Sequence, residues 1–416
     1  MAFFSDQHPA TLGGLQVSVG LQRDFLEARG HTGTVCSPDS KRRPSPQYSR
    51  PHDVLLRSIS TGQQSMHLAG KIVDRETDAG FSKRPPVDIV HVQADIWGAW
   101  NGYRFALRHG LPLVHTMHTN IEPGLPAVVP FPRTAFQLLY WAQRRYLRAG
   151  PVHDIAAYVR AFAQLADAVI VPSAHFARRL ADYGIDRDIR VIPTGVDDRQ
   201  IDAARPAVRL PRERPVLVWP GRISKEKRLD ETIRAFALSK VDADLHVYGA
   251  GPKLRRCMSL SESLGVADRV SYHGTVSHGA MLAAIRQADL VIQSSLGFET
   301  QGLTVYEAVS LGTPVLVRDQ DVARDLPPAW RFAVADASIE SFAAGLRRIP
   351  EMLSSGEFGG LGPPPTQFRQ SKLTAQILEI YETLLAQAGR PASAPRPIAR
   401  RATAPRLIAR RLIARR

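Results

Sequence analysis

Ser294-Ser295-Leu296-Gly297-Phe298-Glu299-Thr300-Gln301-Gly302-Leu303-Thr304-Val305-Tyr306-Glu307, continued by Ala308-Val309-Ser310-Leu311-Gly312-Thr313-Pro314-Val315-Leu316-Val317, reads as the end of a strand, a loop, a helix and the next strand. Ala288-Asp289-Leu290-Val291-Ile292 is the first strand, and Gly297 and Gly302 punctuate the loop. Leu303 to Leu311 suits a helix that Gly312 ends, and Pro314 to Val317 is an apolar run short enough for a buried strand. Open parallel sheets bind ligands beyond the carboxyl ends of their strands. Free amides and the dipole of a helix N-terminus favour phosphate there. Glu299 and Glu307 stand in this unit with seven residues between them. A carboxylate accepts hydrogen bonds from neighbouring hydroxyls, as in a ribose or a hexose. Phosphate-holding amides beside diol-holding carboxylates suit a sugar nucleotide. On spacing alone, a solvated loop residue and a surface helix residue explain the pair equally well.

Strands and helices alternate on both sides of this unit, which argues for parallel sheets. In the first half, strands are expected at Ala2–Ser5, from Thr34, at Asp88–Val92, Leu111–Thr116, Ala168–Ser173 and Ile189–Pro193. Helices are expected at Leu15–Arg29, Trp97–His109, Arg133–Ala149, Ala156–Leu165 and His175–Tyr183. Ser37 to Ser82 reads mostly as loop, with a helix at Met66–Asp74. A linker, rich in Arg, Asp, Ala and Pro, is placed at Asp198–Arg214. A second series follows, with strands Val216–Trp219, from Asp244, and Val270–Gly274, and helices Leu229–Leu238 and Met281–Arg286. The expected organisation is a first domain over 1–197, a second over 215–367, a helix 368–388 returning towards the first, and a basic tail 389–416.

Three further places invite chemistry. Gly13 and Gly14, ahead of the first long helix, would let backbone approach a phosphate, although such a pair is more often only a turn. His118 follows a strand end, where a neutral imidazole could bond a sugar hydroxyl or accept a proton; a lone histidine is usually structural. Arg222 and Lys227 follow the strand Val216–Trp219 and could pair with a diphosphate, or form a solvated basic loop.

Glu-x7-Glu within Phe-Glu-Thr-Gln-Gly-Leu…Glu-Ala…Gly-Thr-Pro-Val resembles the donor-site signature of the retaining glycosyltransferases of the GT4, or group 1, type. The Glu-Thr-Gln-Gly-Leu form is similar to members that glycosylate membrane lipids, such as diacylglycerol glucosyltransferases and phosphatidylinositol mannosyltransferases. Val-His-Thr-Met-His-Thr resembles the active-site histidine segment of that family, and Gly-Arg-x4-Lys its diphosphate clamp, with Lys225 where many members have Pro. The resemblance implies an α/β fold of the GT-B kind, two Rossmann-like domains with parallel sheets facing across a cleft. It implies a UDP- or GDP-sugar donor and transfer of a hexose. Catalytic roles fall to His118, Glu299, Arg222 and Lys227; donor binding falls to Gly13, Gly14, Arg222, Lys227, Gly302, Leu303 and Glu307. His115, further back in its strand, is read as structural. Members usually begin a few residues earlier on the first strand, so the first strand here is short at its start.

The chain has 416 residues, 44% of them apolar, enough for sizeable cores in two or three domains. Two cysteines, Cys36 and Cys257, make neither a disulfide framework nor a metal cluster, and a reducing compartment is expected. No secretory signal pattern opens the chain and no run of about 18 apolar residues occurs. The net charge is +15, of which nine belong to arginines after Glu382, leaving +6 elsewhere. That tail and the basic helix over 133–149 could contact an anionic membrane. The helix is expected to turn Ala135, Leu138, Leu139, Ala142 and Tyr146 to one face, and Arg133, Gln137, Arg144 and Arg148 to the other. Asp-x-Asp pairs at Asp186/Asp188, Asp242/Asp244 and Asp319/Asp321 follow none of the glycine loops. With Arg222 and Lys227 supplying positive charge, no metal or other cofactor is expected. The expected partners are a sugar nucleotide and a lipid acceptor, in the cytoplasm or on the inner face of the plasma membrane, and no nucleic acid. Alternatives are a soluble or polysaccharide acceptor, an epimerase or phosphorylase on the same plan, and a non-enzymatic basic binding protein.

Overall fold

The computed structural model describes residues 1–416 except 12, 40–48, 61–64, 68, 130, 149, 207–211, 356–361 and 390–416. The basic tail over 390–416 therefore lies outside the described residues, as does part of the expected linker.

Two parallel sheets carry the chain. The first has seven strands in the spatial order Val54–Leu56, Thr34–Pro38, Ala2–Ser5, Val90–Gln93, Leu113–Thr116, Ala168–Val171, Ile189–Val191. The second has six, in the order Val270–Gly274, Asp244–Tyr248, Val216–Pro220, Leu290–Gln293, Val315–Val317, Arg331–Ala333. Side chains alternate across each strand, so both faces of each sheet must be covered. Phe4, Val90 and Val92 face a core with Trp100, Tyr103 and Phe105. Phe3, Val35 and Ile89 face Val19 and Leu26 of the helix Gly14–Glu27, together with Leu373, Ile377 and Tyr381 of the last helix, Gln370–Ala388. In the second sheet Leu217, Leu245 and Leu290 meet Ile233 and Phe236, while Val216, Val218 and Val291 meet Val305, Tyr306 and Val309. Each such side chain contributes about 2 kcal/mol on burial.

The chain crosses between the units twice at one place. On the outward pass Val196 pairs in parallel with Arg369 of the return, and Val196 N–H donates to Phe368 O at 2.9 Å. Gly195 and Gln370 are so close that a Cβ on Gly195 would lie 2.5 Å from Gln370 Oε1.

Four expectations need correction. The described residues of Ser37–Ser82 are not mostly loop: they supply the edge strand Val54–Leu56, a hairpin of Ile59–Ser60 with Ser65–Met66, and the helix Lys71–Phe81. Met66 is thus in a strand and the helix lies later than Met66–Asp74, because its inward residues include Asp74 and Thr77 and carry no apolar period. The segment Asp198–Arg214 opens as a helix, Asp198–Ala204; Asp197 caps it by accepting from Arg199 N–H at 2.9 Å, and Ile201 is buried against the second sheet's helices. In the helix Pro132–Leu147 the buried stripe is Leu139, Tyr140, Ala142, Gln143 and Leu147, whereas Leu138 faces outward, 60% exposed.

Candidate functional site

The Glu-x7-Glu unit lies at the carboxyl end of the strand Leu290–Gln293, where Ser294 and Ser295 are buried. Trp219 Nε1–H donates to Ser294 Oγ at 2.8 Å, and Ser294 Oγ donates to Lys227 O at 2.7 Å. This ties the loop after Val216–Pro220 to the loop after Leu290–Gln293. It places Lys227 Nζ 2.5 Å from Glu299 Oε1, which also accepts from Ser295 Oγ at 2.7 Å. Burial pushes the Glu299 carboxyl up, but the charge and hydrogen bond of Lys227, with the Ser295 bond, outweigh it and hold Glu299 below the usual carboxylate range. Lys227 also lies 5.9 Å from the Phe298 ring centroid.

Gly302 precedes the helix Leu303–Leu311 with φ 81°, a left-handed conformation that glycine adopts without steric cost. No side chain caps this terminus, so the amides of Leu303 and Thr304 remain available to an anion. Glu307, one turn on, is buried and meets His278 Nε2 at 2.7 Å; that bond holds the His278 pKa above its ordinary value. Arg222 is exposed, at the tip of the loop after Val216–Pro220. Beneath it, glycine loops are packed backbone to backbone: a Cβ on Gly249 would lie 1.9 Å from Gly221 O, and one on Gly251 2.3 Å from Ile223 O.

The first unit supplies the facing wall. His118 follows the strand Leu113–Thr116; its Nε2 lies 3.1 Å from Gln93 Oε1, and its N–H donates to Asp95 Oδ1 at 3.4 Å. Burial, with His115 nearby, pulls the His118 pKa down to about 3, so the ring is neutral near pH 7. Burial pushes Asp95 up to about 7 and Asp6 up to about 6. Asp6 accepts the N–H groups of Asp95, Ile96 and Gly98 at the start of the helix Trp97–His109. His115 is fully buried between Tyr103 Oη and Ala94 O, a structural role. Gly13 and Gly14 are exposed at the uncapped start of the helix Gly14–Glu27.

The two walls touch through the signature loop itself. Thr300 Oγ1 donates to His118 O at 2.7 Å, and Asn120 Nδ2 donates to Gly297 O at 3.3 Å. Gln301 makes a two-bond pair with the Thr194 backbone, both at 2.8 Å. His175 Nδ1 meets Asp325 Oδ2 at 2.6 Å, and its Nε2 lies 3.0 Å from Glu299 O. Burial lowers the His175 pKa, but the Asp325 bond and the Glu299 carbonyl raise it overall.

The geometry therefore brings together His118, Lys227, Glu299, Gly302 and Leu303 of the expected residues, with Glu307 behind them. Thr300, Gln301, Asn120, Asp95, His175, Asp325 and His278 were not anticipated. Ser173-Ala-His175 after the strand Ala168–Val171, at the same kind of position as His118, was the available signal for His175.

Comparison with known proteins agrees with this arrangement. Residues 12–200 match Glycosyltransferase Family 4, and residues 200–353 match Glycosyl transferases group 1. The chain belongs to this glycosyltransferase family. It is 25% identical over 342 residues to alpha-monoglucosyldiacylglycerol synthase of Streptococcus pneumoniae, covering 78% of this chain and 72% of that protein. It is 28% identical over 383 residues to phosphatidyl-myo-inositol mannosyltransferase of Mycolicibacterium smegmatis, covering 89% and 90%. Among solved structures, sucrose-phosphate synthase from Thermosynechococcus elongatus superposes with a TM-score of 0.69 at 19% identity, covering 93% of this chain and 99% of that one. Anabaena HepE in complex with UDP-glucose gives 0.65 at 15% identity, covering 92% and 99%. The fold is GT-B, two parallel α/β units facing across a cleft.

Proposed function

We propose that this glycosyltransferase moves a hexose, glucose or mannose, from a UDP- or GDP-sugar to a membrane lipid, with retention of anomeric configuration. The observation that carries the reading is the Lys227–Glu299 pair, 2.5 Å apart at the carboxyl end of the second sheet and tied through Thr300 to the His118 loop. Lys227, Arg222 and the amides of the helix beginning at Gly302-Leu303 stabilise the leaving diphosphate electrostatically. Glu299 holds donor sugar hydroxyls, Glu307 the ribose, and His118 accepts a hydrogen bond from the sugar across the cleft. Gly13 and Gly14 admit diphosphate and acceptor close to the backbone. Because two cations and a helix terminus supply positive charge, the reaction needs no metal; activity that EDTA abolishes and Mg²⁺ restores would contradict this.

The lipid acceptor rests on the outer face of the helix Pro132–Leu147. Phe131 is 75%, Leu138 60% and Trp141 52% exposed, on a stripe that continues through the exposed Arg145 and Arg148. Aromatic and aliphatic side chains beside arginines suit the interface of an anionic bilayer. Among the described residues no helix is long and apolar enough to cross a membrane. The enzyme would then work peripherally, on the inner face of the plasma membrane, with the arginine tail 390–416 adding charge. Co-sedimentation with phosphatidylglycerol vesicles is expected to fall in a Leu138→Ser/Trp141→Ser variant and with added salt. Binding that neither change weakens would favour a soluble acceptor.

The donor is tested by thermal stability with a panel of UDP- and GDP-sugars. A ligand at ~100 times its Kd adds about 2.7 kcal/mol to the folded state. One clear stabiliser names the nucleotide, and NMR of the product's anomeric coupling then decides retention. No shift with any sugar nucleotide overturns the donor reading.

A further inference from the structure

Behind His118, buried polar side chains run in an unbroken line to the last helix. His118 Nε2 lies 3.1 Å from Gln93 Oε1, and Gln93 Nε2–H donates to Gln22 Oε1. Gln22 Nε2–H donates to Tyr381 Oη at 3.0 Å and also lies 3.2 Å from His91 Nδ1. Tyr381 Oη is 2.5 Å from His91 Nδ1, and His91 Nε2 is 2.7 Å from Thr116 Oγ1. Gln22, His91, Gln93 and Tyr381 are each 3% exposed or less. Nothing in core packing asks for this: Leu and Phe would fill the same space with no polar atoms to satisfy.

The line has a direction. An amide oxygen only accepts and an amide nitrogen only donates. Gln93 spends its nitrogen on Gln22 and turns its oxygen to His118, so the hydrogen of neutral His118 sits on Nε2. Gln22 repeats the order one step on, giving its nitrogen to Tyr381. Tyr381 O–H then donates to His91 Nδ1, and His91 Nε2–H donates to Thr116. What remains is His118 Nδ1, a bare acceptor with no partner among the described residues.

We propose that Gln93, Gln22 and Tyr381 are positioning residues that fix the tautomer and ring plane of His118, so that Nδ1 meets a sugar hydroxyl as an acceptor. The proposal rests on the reading that His118 contacts the sugar. It also gives the last helix a task beyond covering the sheet. Tyr381 belongs to the helix Gln370–Ala388, whose first residue is bound at the crossing between units: Gly195 N–H donates to Gln370 Oε1 at 3.1 Å, and Gln370 N–H to Val196 O at 2.9 Å. One helix thus joins the crossing point to the imidazole.

The test reads the imidazole directly, without a substrate. Long-range ¹H–¹⁵N spectra of the full chain resolve protonated from bare ring nitrogens, and the His118 signals are those lost in His118→Asn. The wild type is expected to show a single Nε2–H tautomer. Gln93→Leu and Tyr381→Phe are expected to shift those signals towards tautomer averaging. Gln93→Glu keeps an acceptor for Nε2–H while giving up the donor to Gln22, so it is expected to retain that ring proton, and its retention there shows that loss in Gln93→Leu is not general misfolding. Transfer is then measured from UDP-glucose to dioleoylglycerol and from GDP-mannose to phosphatidylinositol in mixed micelles. Gln93→Leu is expected to lower kcat about 10²-fold, the scale of a small misplacement in the site, with KM for the sugar nucleotide little changed. Tyr381→Phe should give a smaller fall of the same kind. An Nδ1–H or averaged His118 in the wild type, or an unchanged spectrum and kcat in both variants, overturns the proposal. Full transfer by His118→Asn overturns instead the sugar contact beneath it, and the spectrum tells the two failures apart.

Discussion

The two walls of the cleft solve the same problem with opposite electrostatics. The second unit presents an ion pair, Lys227 against Glu299, an exposed Arg222, and Glu307 hydrogen-bonded to His278. The first presents groups that burial drives towards their neutral forms: His118 with its pKa drawn down to about 3, Asp95 pushed up to about 7, and buried amides. A charge is worth more where its surroundings hold few competing charges and little water. With the less charged wall facing the charged one, the cations that meet a diphosphate come from the second unit, and the sugar side is read mainly by hydrogen bonds. The Lys227–Glu299 pair also keeps both ions satisfied while no donor is bound.

The sharpest way to break this contrast is to remove the charge from the charged wall. Lys227→Met is expected to cut the transfer rate about 10²- to 10³-fold, as when one donor to a developing anion is lost. A rate within a fewfold of wild type would show that Arg222 and the helix terminus suffice. Next comes the latch between the walls. His175→Phe should cost the closed arrangement about 2 kcal/mol, the scale of a hydrogen bond to a charged group. Small-angle scattering should then report a larger radius of gyration. In the wild type the same loosening should appear as pH rises. The His175 pKa is raised in the folded state, so its contribution is present below its ordinary 6.5 and lost as pH climbs through the folded value.

A smaller effect concerns backbone geometry on the charged wall. At Gly302 an added Cβ meets nothing nearer than 3.8 Å, so Gly302→Ala costs only the left-handed backbone, about 1 kcal/mol of stability by denaturant titration. A separate effect, on the pH dependence of stability, tests the first wall. The Asp95 pKa is raised on folding, so the folded state keeps a proton the unfolded chain releases, and stability falls as pH rises from about 4 towards 7. Asp95→Asn should match the wild type in thermal unfolding near pH 4, gain on it as pH rises, and gain no more above about 7. A constant difference across that range would mean that Asp95 is ionised in the folded state.

How much of this was legible depended on whether a signal was local. The helices Trp97–His109 and Leu303–Leu311 were readable end to end because Gly110 and Gly312 stop them, with φ 62° and 79°. The signature loop was readable for the same reason: its glycines and carboxylates fall within one short stretch. The helices Lys71–Phe81 and Leu254–Ser263 were not, since the faces they bury include Asp74 and Thr77 in one and Cys257 and Ser261 in the other. Nor was the true inward face of Pro132–Leu147, where sequence period alone placed Leu138 with Leu139. The latch and the buried line were beyond reach for a different reason. His175 meets Asp325 across 150 residues, and Gln22 meets Tyr381 across 359, and nothing in either neighbourhood names its partner.

The side-by-side crossing at Val196 and Arg369 has a consequence for how the chain is made. In connectivity the second unit is an insertion within the first, which is left open until its last helix arrives. A ribosome releasing the chain in order would deliver everything the donor half needs before the helix that covers Phe3, Val19 and Val35 has been synthesised. The half that begins at the amino terminus is then the half that finishes last, and a released chain ending near residue 368 would carry a closed second unit beside a first one still exposing apolar surface.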